Sequence, residues 1–166
     1  TLYYFGENIE FGDALDEMAK IDIQRSIALA NTFVDLKMNA DTLVYLNEKI
    51  EQAKSLADAD DAYIAEEEIG WGMRLAKKSA ADYASLLEAI ATAQKSADKQ
   101  WSDYEETVDA LAALKEIISQ GESVYADSKA NRTEIDELKL TLGEAAALLE
   151  MDSCYILLER YDSICD

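Results

Sequence analysis

From Asp13 onward, Leu15, Ala19, Ile23, Ile27, Ala30, Val34 and Met38 recur at steps of three or four, which draws one apolar stripe along an amphipathic helix. Asn39 and Asp41 then read as a stop and a new N-cap, because their side-chain oxygens accept the free N–H groups of a first turn. A second stripe, Leu43, Leu46, Ile50 and Ala53, fades into the polar residues 55–61. Asp60 or Asp61 is placed to cap a third helix whose inward side uses Ile64, Trp71 and Leu75, with Ile69, Met73 and Ala76 beside them. Gly70-Trp71-Gly72 weakens that helix by about 1 kcal/mol per glycine relative to alanine, so a kink or an early stop is expected there.

Tyr83, Leu86, Leu87, Ile90, Ala93 and Ala97 form a fourth stripe. Ser102-x-x-Glu105 has the letters of a capping box and predicts a helix start at Asp103, followed by the stripe Val108, Leu111, Leu114 and Ile118. Gly121 reads as the left-handed residue after that helix. Asn131-x-x-Glu134 or Thr133-x-x-Asp136 caps the next one, whose seam Ile135, Leu138, Leu142, Ala145 and Leu149 continues through Ile156. Residues 1–12 differ from all of this: Leu2-Tyr3-Tyr4-Phe5 and Ile9-Glu10-Phe11 around Gly6 read as an irregular aromatic arm on the bundle, with a short hairpin as the other reading.

One pattern recurs at longer range. Leu46-x-Glu48-x-Ile50-x-x-Ala53 returns as Leu86-x-Glu88-x-Ile90-x-x-Ala93, and Ala-Asp steps stand at Ala40-Asp41, Ala81-Asp82 and Ala126-Asp127. A period near 40 is that of stacked helical hairpins, each burying its stripe on its neighbours. The expected fold is therefore all-α, an antiparallel helical bundle or tandem three-helix repeats of about six to seven helices. In that reading residues 13–166 form the bundle, with repeat units 41–81, 82–126 and 127–166.

Composition supports the class and narrows the chemistry. The 166 residues are 49% hydrophobic and include no proline and six glycines, enough apolar matter for a core and little to interrupt helices. No apolar run approaches the roughly 20 residues that span a bilayer, so no membrane insertion is expected. The chain opens at Thr1 without a charged-then-apolar leader, which points to a mature or excised piece. Its 35 acidic and 15 basic residues give a net charge of −20. A surface of that sign repels nucleic acid and anionic lipid and leaves a basic partner, a cation, or no electrostatic partner at all, the acidic face then serving solvation.

Histidine is absent, which removes every Ser-His, Cys-His and His-metal arrangement. Asp58, Asp60, Asp61, Glu66, Glu67 and Glu68 are the densest acidic cluster, but Tyr63 and Ile69 stand where a calcium loop from Asp58 needs glycine and glutamate. The aspartates are explained by the positive end of a helix dipole. Trp71, Trp101 and Tyr104 have no neighbouring Asn, Gln or Arg cluster with which to read a sugar, and aromatics at helix ends commonly cover a core. Cys154 and Cys165 can bridge only if the chain turns between them, since one helix would hold them about 16 Å apart. No catalytic residue, metal ligand or cofactor site is predicted.

Leu86-Leu87-x-Ala89-Ile90-x-x-Ala93, Trp101-Ser102-x-Tyr104 and Val108-x-x-Leu111-x-x-Leu114 together resemble the FIVAR-type and related three-helix repeats of bacterial cell-surface proteins, over roughly Leu43 to Asp127. The resemblance implies a non-enzymatic spacer or adhesive module at the cell surface or outside the cell. Two other functions fit the sequence: an acidic decoy that occupies a cationic groove, and a helical ligand-binding sensor.

Overall fold

The computed structural model describes the backbone of residues 7–56 and 59–165, and the side chains of residues 17–56 and 61–151. The described residues form five α-helices and no strand: α1 (Glu7–Phe33), α2 (Ala40–Ser55), α3 (Ala59–Ala97), α4 (Glu105–Asp127) and α5 (Arg132–Cys165). They divide into two compact units, Thr1–Ala80 and Ala81–Asp166, and α3 contributes to both.

The count of five corrects the expected six to seven, because the third and fourth expected helices are one continuous helix, α3. Gly70 and Gly72 leave α3 helical throughout, and the last seam runs on as α5. Helix α1 is already formed at Glu7, while residues 1–6 of the expected arm lie outside the described residues. Continuous α5 also holds the backbones of Cys154 and Cys165 about 16 Å apart by its rise, beyond bridging reach; their side chains lie outside the described residues.

Each unit is an up-down-up triplet of helices with its own core. In the first, Ile23, Ala30 and Met38 meet Leu46, Ile50 and Ala53 of α2 and Ala62, Ala65, Ile69 and Ala76 of α3. Contacts along the helices give the directions: Ser26 donates to Glu66 at 3.5 Å and the Asn39 N–H, just past α1, to Ser79 at 2.8 Å, so α1 runs with α3, while Lys49 pairs with Glu68 at 3.2 Å and Leu46 faces Gly72, so α2 runs against it. In the second unit Tyr83, Leu86, Ile90 and Ala93 pack with Leu114 and Ile118 of α4 and with Ile135, Leu142 and Leu149 of α5. Full burial of each large aliphatic side chain contributes about 1.5–3 kcal/mol.

The inward face of α3 in the first unit differs from the expected one. Ala62, Ala65, Ile69, Gly72 and Ala76 are buried, whereas Ile64 and Trp71 are 57% and 50% exposed. Small side chains face the neighbours because they let the helices approach. A Cβ on Gly72 would lie 3.2 Å from Leu46 Cδ1, so this glycine is a contact surface for α2 and not a helix breaker. Gly121 corrects in the same way. It is buried inside α4, where a Cβ would lie 3.1 Å from Ile90 Cγ1, and the left-handed residue after the helix is Ser128, with φ 60°.

The caps divide as well. Asn39, read as the stop, is itself the N-cap of α2, accepting from the backbone N–H groups of Asp41 and Thr42, and Asp41 lies in the first turn. Asn131 and Glu134 form a reciprocal capping box at 3.0 and 2.8 Å. Ser102 and Glu105 do not: α4 starts at Glu105, its N-cap is Tyr104, and the Ser102 hydroxyl donates instead to the buried Thr107 hydroxyl at 3.1 Å. With that start, Thr107 and Ala110 face the core and Val108 is 49% exposed.

The repeated motif has a structural meaning. Leu46, Ile50 and Ala53 are buried, and so are Leu86, Ile90 and Ala93. In each unit the motif helix takes a glycine of the following helix against it, Gly72 on Leu46 and Gly121 on Ile90. The third helix comes from opposite directions, from α1 before the motif in the first unit and from α5 after it in the second. The repeat is thus one of packed helix pairs, completed differently.

Candidate functional site

A groove of the second unit lies between α3 and α5. These two helices run parallel, since Asp82 approaches Arg132 at one end and Ser96 bonds Glu150 at the other. Steps of three and four place Ser85, Glu88, Ala89, Thr92 and Ala93 on one side, and Lys139, Leu142, Gly143 and Ala146 on the other, around a groove of about 320 Å³. The groove exists because alanine and glycine stand where larger residues would meet. Nothing lies within 4 Å of a Cβ placed on Gly143.

The polar groups of the rim are mostly turned onto their own helix. The Ser85 hydroxyl donates to the Asp82 carbonyl at 2.8 Å, and that of Thr92 to the Glu88 carbonyl at 3.0 Å. What remains is an apolar floor flanked by the opposite charges of Glu88 and Lys139. Beyond the floor, Glu150 accepts from Lys99 at 3.0 Å and from Ser96 at 3.2 Å. The bond to Lys99 and its positive charge, with the Ser96 hydroxyl, hold the Glu150 carboxyl below the usual carboxylate range. The groove offers apolar contact for a side chain of modest size, with one charge of each sign to orient it.

A second groove, of about 410 Å³, lies between α4 and α5 and includes Val124, Leu138, Asp127, Glu134 and Glu137 in its lining. Two of its carboxylates hold the chain: Asp127 accepts the Lys129 N–H at 3.0 Å, and Glu134 belongs to the capping box. Close to it, the Tyr83 hydroxyl donates to the Ala130 carbonyl at 3.0 Å. Burial, and then the negative charge of Asp127, push this hydroxyl above its ordinary pKa of 10.0, so it stays protonated near neutral pH.

The sequence candidates do not converge. Of the acidic cluster, Asp58 and Asp60 lie outside the described side chains, Glu66 accepts from Ser26, Glu68 pairs with Lys49, and Glu67 is exposed. Among the described residues no three metal-ligating side chains come together. The Trp101 N–H is bonded to the Ser96 carbonyl at 2.9 Å, which makes it a structural tie across the α3–α4 connection. Sequence reasoning did not single out the groove as a site. Ala89, Ala93, Gly143 and Ala146 are visible as small residues at helical spacing, but only the pairing of α3 with α5 brings them together.

No family model, curated protein or solved structure matches this chain. No helix among the described residues is long and apolar enough to cross a membrane.

Proposed function

We propose that this chain is a non-enzymatic helical module of a surface or secreted protein that binds a partner protein through the groove between α3 and α5. The observation that carries this reading is the groove floor of Ala89, Ala93, Leu142, Gly143 and Ala146, an apolar recess open to solvent between two parallel helices. Grooves of this kind accept the apolar edge of a helix or extended peptide. The decoy reading has less support, because exposed carboxylates occur on every helix, from Glu17 on α1 and Glu48 on α2 to Glu67, Glu116 and Glu144 on α3, α4 and α5.

The test is capture of partners from extracellular extract on immobilised chain, comparing the unaltered protein with Ala89→Phe, which fills the groove. A partner held at about 0.5 M salt and lost by the variant supports groove binding, since exposed charge pairs are largely screened at that strength. A partner that Ala89→Phe retains and salt releases supports the acidic decoy. A small molecule that raises the melting temperature of the unaltered protein alone supports the sensor.

A further inference from the structure

Among the described residues of the first unit, the exposed aromatic side chains both lie on α3, Tyr63 at 69% and Trp71 at 50%, while exposed aliphatic side chains occur on all three helices, from Met18 and Leu29 on α1 and Val44 on α2 to Ile64 on α3. Helical spacing puts Tyr63, Glu67, Gly70, Trp71, Arg74 and Lys78 on this same outward side. Glu67 and Arg74 are both exposed, and neither belongs to an ion pair among the described residues. Gly70 presents bare backbone, with nothing within 4 Å of the place a Cβ would take.

The order of these groups is what chooses a partner. Negative charge lies toward the start of the face, at Glu67, and positive charge toward its end, at Arg74, Lys77 and Lys78. Glu67 and Arg74 are equally far from the Gly70–Trp71 peptide, so a two-fold axis through that point brings each against the other. The same operation brings the two Trp71 side chains together at the axis with Gly70 beside them, and places Tyr63 opposite Lys78, a pairing of ring and cation. An isologous contact requires this reciprocity, in which residue i meets j and j meets i.

We propose that the outward face of α3 in the first unit is a homodimer interface, with two copies pairing antiparallel about the Gly70–Trp71 peptide through reciprocal Glu67–Arg74 ion pairs. A parallel arrangement would set like charges together. The net charge of −20 on each copy opposes any self-association. At about 0.15 M salt that repulsion is screened beyond about 8 Å, while groups in contact are screened much less.

Sedimentation equilibrium of the full chain, between about 1 and about 300 µM, covers the range of a modest interface. The unaltered protein is expected to dimerise. Glu67→Arg and Arg74→Glu, each folded by circular dichroism, are each expected to weaken dimerisation by at least about tenfold, because each places two like-charge contacts across the axis. An equimolar mixture of the two is expected to dimerise again. In the mixed pair the introduced arginine of one variant faces the introduced glutamate of the other, and the native Arg74 of the first faces the native Glu67 of the second. A monomer at all concentrations, single variants that associate like the unaltered protein, or a mixture that stays monomeric would each overturn the proposal.

Discussion

The Tyr83 hydroxyl lies 3.0 Å from the Ala130 carbonyl and fixes α3 to the α4–α5 connection across 47 residues of sequence. Tyr83 is 1% exposed and Ala130 8%, so the bond joins two buried residues. Tyr83→Phe is expected to destabilise the second unit by about 0.5–1.5 kcal/mol, the net contribution of one intramolecular hydrogen bond, as read by urea unfolding at pH 7.

The same residue gives a pH dependence. Its folded pKa is raised above that of the unfolded chain, so folding favours the protonated form. That contribution is fully present below about pH 10 and is lost as pH rises through the folded value. The stability gap between the unaltered protein and Tyr83→Phe should therefore narrow when unfolding is measured at about pH 11 instead of pH 9. An unchanged gap would show that Tyr83 does not titrate differently in the two states.

The glycines of α3 and α4 should respond in opposite ways. Gly70→Ala adds a methyl into open space and removes backbone freedom from the unfolded chain, so a gain of about 0.5–1 kcal/mol is expected. Gly121→Leu drives a side chain into Ile90, whose Cγ1 and Cδ1 already lie 3.1 and 3.2 Å from the Cβ position, and should cost about 1–3 kcal/mol. Thermal melting of the two variants checks both signs.

Asn131 and Ser102 open the same letter pattern but do different work. Asn131→Ala should lose about 1 kcal/mol and speed exchange of the Glu134 amide, which its side chain holds. Ser102→Ala should leave the Glu105 amide unchanged, since that serine bonds Thr107 and caps nothing. Hydrogen exchange followed by NMR separates the two cases.

At the end of the α3–α5 groove, Lys99→Ala should move the Glu150 titration midpoint upward toward the ordinary carboxylate value, followed on the side-chain carbon by NMR. The depressed pKa means that this contribution is present above the unfolded pKa and is lost as pH falls through the folded one. An unmoved midpoint in the variant would show that Lys99 is not the group holding that carboxylate ionised.

The sequence by itself determined the helical class and most of the core. Ile23, Ala30, Leu46, Ile50, Leu86, Ile90, Leu142 and Leu149 all lie on predicted stripes and are all buried, because a period of 3.6 is imposed on the chain locally and needs no knowledge of neighbours. The cap at Asn131 and the position of the α1–α2 break at Asn39 were legible for the same reason, since a cap acts within its own first turn. Only the tertiary structure decided the rest. Propensity treats glycine as a weak point, yet Gly72 and Gly121 sit where Leu46 and Ile90 press against the helix, and the close packing compensates the local loss. Apolar size suggested that Ile64, Trp71 and Val108 face inward, but close helix approach selected Ala62, Ala65, Gly72 and Ala110 for that side and left the larger residues outward. The groove follows from the same cause, because small residues on α3 and α5 become a recess only when those two helices lie side by side. Which helices meet is set by the summed burial of all stripes at once, and no local window of sequence contains that sum.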